Sequence, residues 1–332
     1  MENNTKGFWN NLKEKNNRFR SKHFDLSEEA KFRFDILNYK TDGMIFVTTV
    51  LIVPFILALM IWLINPDYKE GFQILYIVSV CIGLIFSCIR NNAGIFKEGY
   101  LWIYLFILGP QLASVIVSIF VSIFVKITEE NKEAINSFAS IITMFITEIT
   151  IIALVLKYDR KIPKRIKETF KKNWKEVIFI SLIGVVLLFV FVNLIITNLI
   201  ETKLFGFEGS NNQESLNGSG ILDGDFGNGA KIAYIILLFL FSIITAPLCE
   251  EICMRNSFNL NASNKLLGFV SSAMFFGFVH YGTTFDFGHI LSYSAAGFVL
   301  SGVFLYTKGN MTYSWTIHIL NNLIAFILML AI

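Results

Sequence analysis

Nine stretches of this chain are apolar for long enough to dictate the fold before any motif is considered. They lie at about 44–64, 73–89, 100–126, 135–157, 176–200, 231–260, 265–281, 287–306 and 311–332. A helix that crosses hydrocarbon needs about 20 mostly apolar residues. Backbone N–H and C=O groups cannot be left unpaired in lipid, so helix is the form such runs take. The spacing therefore predicts an all-α, polytopic membrane helical bundle of about nine transmembrane helices. Composition points the same way: 54% of residues are hydrophobic and only 16% charged. A soluble domain carries roughly 25% charged residues, so this chain lacks the polar surface to cover itself in water.

Lysine and arginine placement orients the bundle. With the N-terminus inside, the inner segments hold 23 of the 28 basic residues, and the outer loops and helix ends hold only Lys69, Lys126, Lys132, Lys203 and Lys231. The positive-inside rule then predicts nine spans in the cell membrane, N-terminus in and C-terminus out. Four regions follow. Residues 1–43 mix basic and acidic side chains with Phe8, Trp9, Phe19, Phe24, Phe32 and Phe34, and read as a cytoplasmic amphipathic segment. Residues 44–200 hold five spans almost free of polar chemistry. Residues 201–229, rich in Gly, Asn and Ser and carrying Glu201, Glu208, Glu214, Asp223 and Asp225, read as a flexible outer loop. Residues 230–332 hold the last four spans.

Some classes drop out early. The net charge of +3 is small, and no basic stretch with interleaved aromatics suggests a nucleic-acid partner. Cys81, Cys88, Cys249 and Cys253 all sit in apolar runs and read as small buried hydrophobes. The polar residues 1–43 contain no apolar run ending at a small-residue cleavage site, so no signal peptide is expected there.

Ionisable residues inside spans are expensive and mark function or a specific pairing. Here they are Glu148, Glu250, Glu251, Arg255, His280, His289 and His318, and only Glu148 precedes residue 201. Glu251 and Arg255 are four apart and share a helix face, so they can pair within one turn. Glu250 points about 100° away and is free to face a cavity as a general base or acid. Pro247 lacks an N–H and can kink the helix beside it. Phe276 and His280 share a face, with Gly277 allowing close helix approach. His318 and Asn322 also share a face and could supply hydrogen bonds to a developing oxyanion. The competing reading of each group is structural, since polar side chains commonly tie membrane helices together. His289 repeats the Phe-x-x-x-His spacing with Phe285 but follows Asp286 and Gly288 near the outer end of its span. Glu148 reads either as a buried protonated acid or as a partner for Arg255. Depth sets a test: at 1.5 Å per residue, Glu250, His280 and His318 lie about 18, 27 and 10 Å from their turns. Tilt, a kink at Pro247 or a ragged turn must close that spread.

Glu250-Glu251-x-x-x-Arg255, Phe276-x-x-x-His280 and His318-x-x-x-Asn322, in that order on separate helices within 73 residues, together resemble the CPBP family. These are the CAAX-protease and bacteriocin-processing membrane peptidases, also called the Abi group. The resemblance covers about 231–332, with no departure at a motif position. It implies an intramembrane endopeptidase (a CAAX-prenyl-protease-like hydrolase) acting on a membrane-associated protein or peptide. Glu250 with His280 would activate water, His318 and Asn322 would stabilise the oxyanion, and Glu251, Arg255 and Phe276 would support them. The family is often labelled metalloprotease. A zinc ion held by Glu250, His280 and His318 and metal-free activation by glutamate both stay open, and no His-Glu-x-x-His motif is present. The alternatives are a non-catalytic membrane regulator or bacteriocin-immunity protein on the same fold, and a transporter using the same groups as a proton relay. The transporter reading expects internal repeats, which the sequence does not display.

Overall fold

Long apolar runs bounded by Asn, Asp and Gly turns become helices, as the backbone argument requires. The computed structural model describes every residue except 1, 35, 92–93, 98, 100, 130, 208, 211–220, 222–226 and 332. The main helices are α1 (Glu2–Phe24), α2 (Tyr39–Ile64), α3 (Lys69–Asn91), α4 (Leu101–Phe124), α5 (Lys132–Tyr158), α6 (Lys161–Leu204), α7 (Asn228–Asn261), α8 (Lys265–Tyr281), α9 (Phe287–Tyr306) and α10 (Met311–Ala331). No strand occurs among the described residues. Eight of the helices are long and apolar enough to cross a membrane. The remaining expected span, α8, has 17 residues, about 26 Å of helix. The chain is a multi-pass helical membrane protein. Its outer faces confirm the solvent: Ile89, Leu112, Ile116, Phe124 and Phe179 are each more than 60% exposed, an arrangement that lipid tolerates and water does not.

The fifth expected span, 176–200, is the middle of a longer element. As one straight helix, the 44 residues of α6 would reach about 66 Å, twice the hydrocarbon thickness. The helix breaks at Asn173, which has φ −124° and ψ 29°. The basic stretch 161–172 is thereby separated from the apolar stretch that crosses.

Small residues set how closely the last helices pack. A Cβ added at Gly297 on α9 would stand 2.4 Å from the Ala273 carbonyl oxygen on α8, and one at Gly277 would meet Ser294 at 2.6 Å. Glycine here lets two backbones touch. Two of the four cysteines, Cys249 and Cys253, are buried as expected. Cys81 is half-buried and Cys88 is exposed on the outer face of α3, which corrects the reading that all four are interior; all are free thiols.

Residues 7–34 clamp the basic end of the last helices. Arg20 donates from Nε to the Tyr306 carbonyl at 2.7 Å and from Nη2 to the Leu305 carbonyl at 2.9 Å. Lys308 Nζ reaches Asp25 at 2.6 Å, and Glu29 accepts from Lys164 at 2.6 Å. Buried Arg165 donates to the Ala30 carbonyl and to Asn256 Oδ1. Phe24 packs edge-on against Tyr306 and Tyr313. The expected loop 201–229 starts later than its composition suggested: Glu201–Leu204 complete α6. Glu201 is fully buried, with Oε1 accepting the Ser292 N–H at 2.9 Å near the start of α9. Most of residues 211–226, with Glu208, Glu214, Asp223 and Asp225, lie outside the described residues.

Candidate active site

The polar motifs converge through irregular turns of α7. Its winding loosens to the π form (i→i+5) at Leu240–Thr245 and again at Glu251–Ser257. Such turns recur at functional sites because they re-aim side chains. In the first, the Ala246 N–H bonds to the Phe241 carbonyl. The next donor in that pattern, for the Ser242 carbonyl, would be residue 247, a proline with no N–H. The orphaned Ser242 oxygen is taken instead by Asn322 Nδ2 of α10, at 2.8 Å. Pro247 thus acts by opening a docking point for the helix that carries His318.

Glu251 and Arg255 form the expected pair on one face, both fully buried, with Arg255 Nε 3.2 Å from Glu251 Oε2. Glu251 Oε2 also accepts from Ser314 Oγ at 2.5 Å. Arg255 Nη1 reaches Ser272 Oγ on α8 at 3.0 Å and Ser301 Oγ on α9 at 3.2 Å. Its guanidinium lies 4.9 Å from the Phe276 ring centroid. One ion pair thus joins four helices.

Glu250 faces the other way, into a cavity of about 910 Å³ that His280, His318 and Asn322 also line. Its Oε2 is 3.8 Å from His318 Nε2 and has no hydrogen-bond partner. The other His318 ring nitrogen, Nδ1, sits 3.5 Å from Glu251 Oε1, so the imidazole stands between the two carboxylates. The Phe276 ring meets His280 edge-on at 4.9 Å and His318 at 5.7 Å. His280 stacks on Tyr293 at 5.0 Å with 15° between the planes.

Glu250 and His318 nonetheless come within reach of one another, and the turns that bound their helices differ in burial. Residues 263–265 after α7 reach the surface, but Thr307, Asn310 and Met311 before α10 are buried. Asn310 bonds Thr169 at 2.7 Å. Gly309, at φ +81°, lies so close under Phe32 that a Cβ would stand 2.6 Å from that ring. His318 thus follows a turn that Phe32 covers, so a residue count from that turn is not a count from the surface.

Glu148 does not partner Arg255: it is buried and accepts from Thr245 Oγ1 on α7 at 2.6 Å. His289 also lines the cavity, with Nδ1 2.7 Å from Asp286 Oδ1. Three contributors escaped the sequence reading. Ser314 stands four residues before His318, so the stripe Ser314–His318–Asn322 was available as a signal. Ser272 and Ser301 look like ordinary small residues of packed membrane helices, and nothing in their spacing ties them to Arg255. As for a metal, no group of three or more His, Cys, Asp and Glu among the described residues is arranged to hold one. The Glu250–His280–His318 ligand set is therefore not assembled in this geometry, and the metalloprotease label has no support here.

Residues 232–324 match the family described as type II CAAX prenyl endopeptidase Rce1-like. The similarity lies in the last third of the chain. The match spans all three motifs and ends two residues after Asn322. A protein of Mycoplasma capricolum subsp. capricolum, itself described only as uncharacterized, is 28% identical over 317 residues, 92% of this chain and 93% of the relative. That similarity extends through the leading helices, which the Rce1-like match does not reach. No solved structure matches the chain.

Proposed function

We propose that the chain is an intramembrane endopeptidase of the cell membrane that hydrolyses a peptide bond in a membrane-associated protein or peptide. The observation that carries this reading is Glu250: a carboxylate oxygen with no hydrogen-bond partner, on the wall of a cavity that His280, His318 and Asn322 share. Glu251, by contrast, is held through Oε2 by Arg255 and Ser314, as a structural carboxylate at this depth should be. A water held by Glu250 and His280 gives a proton to Glu250 and its oxygen to the substrate carbonyl carbon. The carbonyl oxygen, now an anion, is met by His318 and by the Asn322 N–H that Ser242 leaves unused, since an amide carries two donors. The C–N bond then breaks, and Glu250 returns the proton to the leaving amine. Glu251 and Arg255 fix the site: the pair anchors α8 and α9, and Ser314, one turn before His318 on α10, donates to Glu251 Oε2.

The test uses the full chain in proteoliposomes with a quenched-fluorescence peptide library. Glu250→Gln and His280→Ala should each reduce cleavage by about 10²–10⁴-fold while insertion and accumulation stay normal. Cleavage retained in both variants removes the assignment.

A further inference from the structure

Between the end of α5 and the break in α6 the chain is densest in positive charge. Residues 157–175 hold nine Lys and Arg against two acids, Asp159 and Glu168. Eight of the nine basic residues are exposed, Arg165 being the exception. The acids are withdrawn from that surface. Asp159 is buried. Glu168 accepts from the Ser27 N–H at 2.8 Å and from Ser27 Oγ at 2.6 Å, and Glu176, just beyond, sits 2.9 Å from His23 Nδ1. Lys164 and Lys172 are engaged by Glu29 and Glu168. Among the described residues, Lys157, Arg160, Lys167, Lys171 and Lys175 have no hydrogen bond or ion pair.

Two lipid-facing stripes end in this stretch. On α5, Ala153 and Leu156 are exposed, and Lys157 stands four residues past Ala153. On α6, Phe179, Leu182 and Val186 are exposed, and Lys175 stands four residues before Phe179. Each lysine is thus about 6 Å along its helix from a side chain that lipid must cover. Each also has an exposed aromatic beside it: Lys157 Nζ lies 5.1 Å from the Tyr158 ring centroid and Lys175 Nζ 5.6 Å from that of Trp174. Tyr and Trp collect at the headgroup level of a bilayer. Between these two points Ile162, Arg165 and Thr169 turn inward, and the N-terminal segment covers the flank that carries Lys164 and Glu168. Lys167 and Lys171, four apart, share the uncovered face next to exposed Phe170. The unpaired cations therefore begin within one turn of the acyl chains, where lipid phosphates lie. An acidic protein would have to displace lipid to reach them.

We propose that residues 157–175 form a binding face for anionic phospholipid headgroups on the basic side of the bundle, with Lys157, Arg160, Lys167, Lys171 and Lys175 meeting the phosphates. The face is separate from the cavity of Glu250 and stands whether or not the chain is a peptidase. Its charge is unbalanced because the N-terminal segment occupies Glu168 and Glu176.

The test is native mass spectrometry of the delipidated full-length chain in a neutral detergent, offered phosphatidylglycerol and phosphatidylcholine with the same acyl chains. The first phosphatidylglycerol should bind at least about ten-fold tighter than phosphatidylcholine, since each Lys or Arg near an anionic headgroup is worth about five-fold in affinity. Raising ammonium acetate from 50 to 500 mM, both round values on the order of one Debye length or less, should erase most of that preference. Lys167→Gln, Lys171→Gln and Lys175→Gln together should lower the phosphatidylglycerol affinity at least about ten-fold. Arg at the same three positions should keep it, and Lys13→Gln, Lys15→Gln and Lys22→Gln on α1 should leave it unchanged. No preference between the lipids, a preference indifferent to salt, or equal loss in the α1 variant overturns the proposal. So does displacement of the lipid by millimolar inorganic phosphate or by polyglutamate, which would assign the face to a free anion or to an acidic protein.

Discussion

Replacing Arg255 with methionine removes a guanidinium that donates to Glu251, Ser272 and Ser301 from a fully buried position. The methionine fills much of the space but leaves Glu251 as a carboxylate without its cation, with Ser314 as its remaining hydrogen-bond donor. Hydrogen bonds to charged groups contribute about 1.5–3 kcal/mol each. Breaking a buried pair from one side costs about 3–5 kcal/mol, chiefly through the charge left behind. Arg255→Met should therefore destabilise the bundle by about 3–5 kcal/mol. Glu251→Gln added to it removes the stranded charge while keeping an acceptor for Ser314, so the double variant should recover about 2 kcal/mol or more of that loss. Equilibrium unfolding in mixed micelles, run as a double-mutant cycle, measures the coupling. If the two losses simply add, Glu251 and Arg255 do not act as a unit, and their assignment as the scaffold of the site fails.

Pro247→Ala restores an N–H that can claim the Ser242 carbonyl, displacing Asn322; cleavage should fall about ten-fold or more with little loss of thermal stability, and unchanged turnover would refute the docking role of that oxygen. Gly297→Ala drives a methyl against the Ala273 carbonyl and should cost about 1–3 kcal/mol, read as a lowered unfolding temperature; an unchanged temperature would show that α8 and α9 can separate freely. The Glu29 carboxyl is held below its usual value of 4.5 by its hydrogen bond to Lys164 and then by that residue's charge. Its contribution to the clamp is therefore full above pH 4.5 and is lost as pH falls through the lower folded value. Limited proteolysis of residues 25–34 in low salt should be steady from pH 7 to 5 and faster below 4; acceleration already at pH 6 would point to another group.

Much of this architecture was legible because lipid leaves a chain few choices. The apolar runs placed the eight helices long enough to cross and also α8, which at 17 residues is shorter than these. Their one large misreading, the 44-residue α6, arose because a basic amphipathic helix can continue into an apolar one with only Asn173 to mark the join. In the site, helical spacing alone paired Glu251 with Arg255 and turned Glu250 toward the cavity. What spacing could not supply was vertical position. A residue count from a turn gives depth only if the turn lies at the surface, and the turn before α10 is buried beneath Phe32. Nor could it supply the partners of Glu148: Thr245 lies 97 residues away, and nothing local links them.

The clamp of residues 7–34 has a consequence for how the protein is made. Arg20 leaves the ribosome well before its acceptors, Leu305 and Tyr306, which lie 285 and 286 positions later. Lys164 and Arg165 can engage residues 29–30 once the start of α6 is made, but the Arg20 contact must wait until α9 has entered the membrane. The docking of Arg20 is therefore a late event of synthesis, and it joins residues 7–34 to the end of α9, beside the turn that leads to His318. The site can reach its final geometry only after α10 has been delivered.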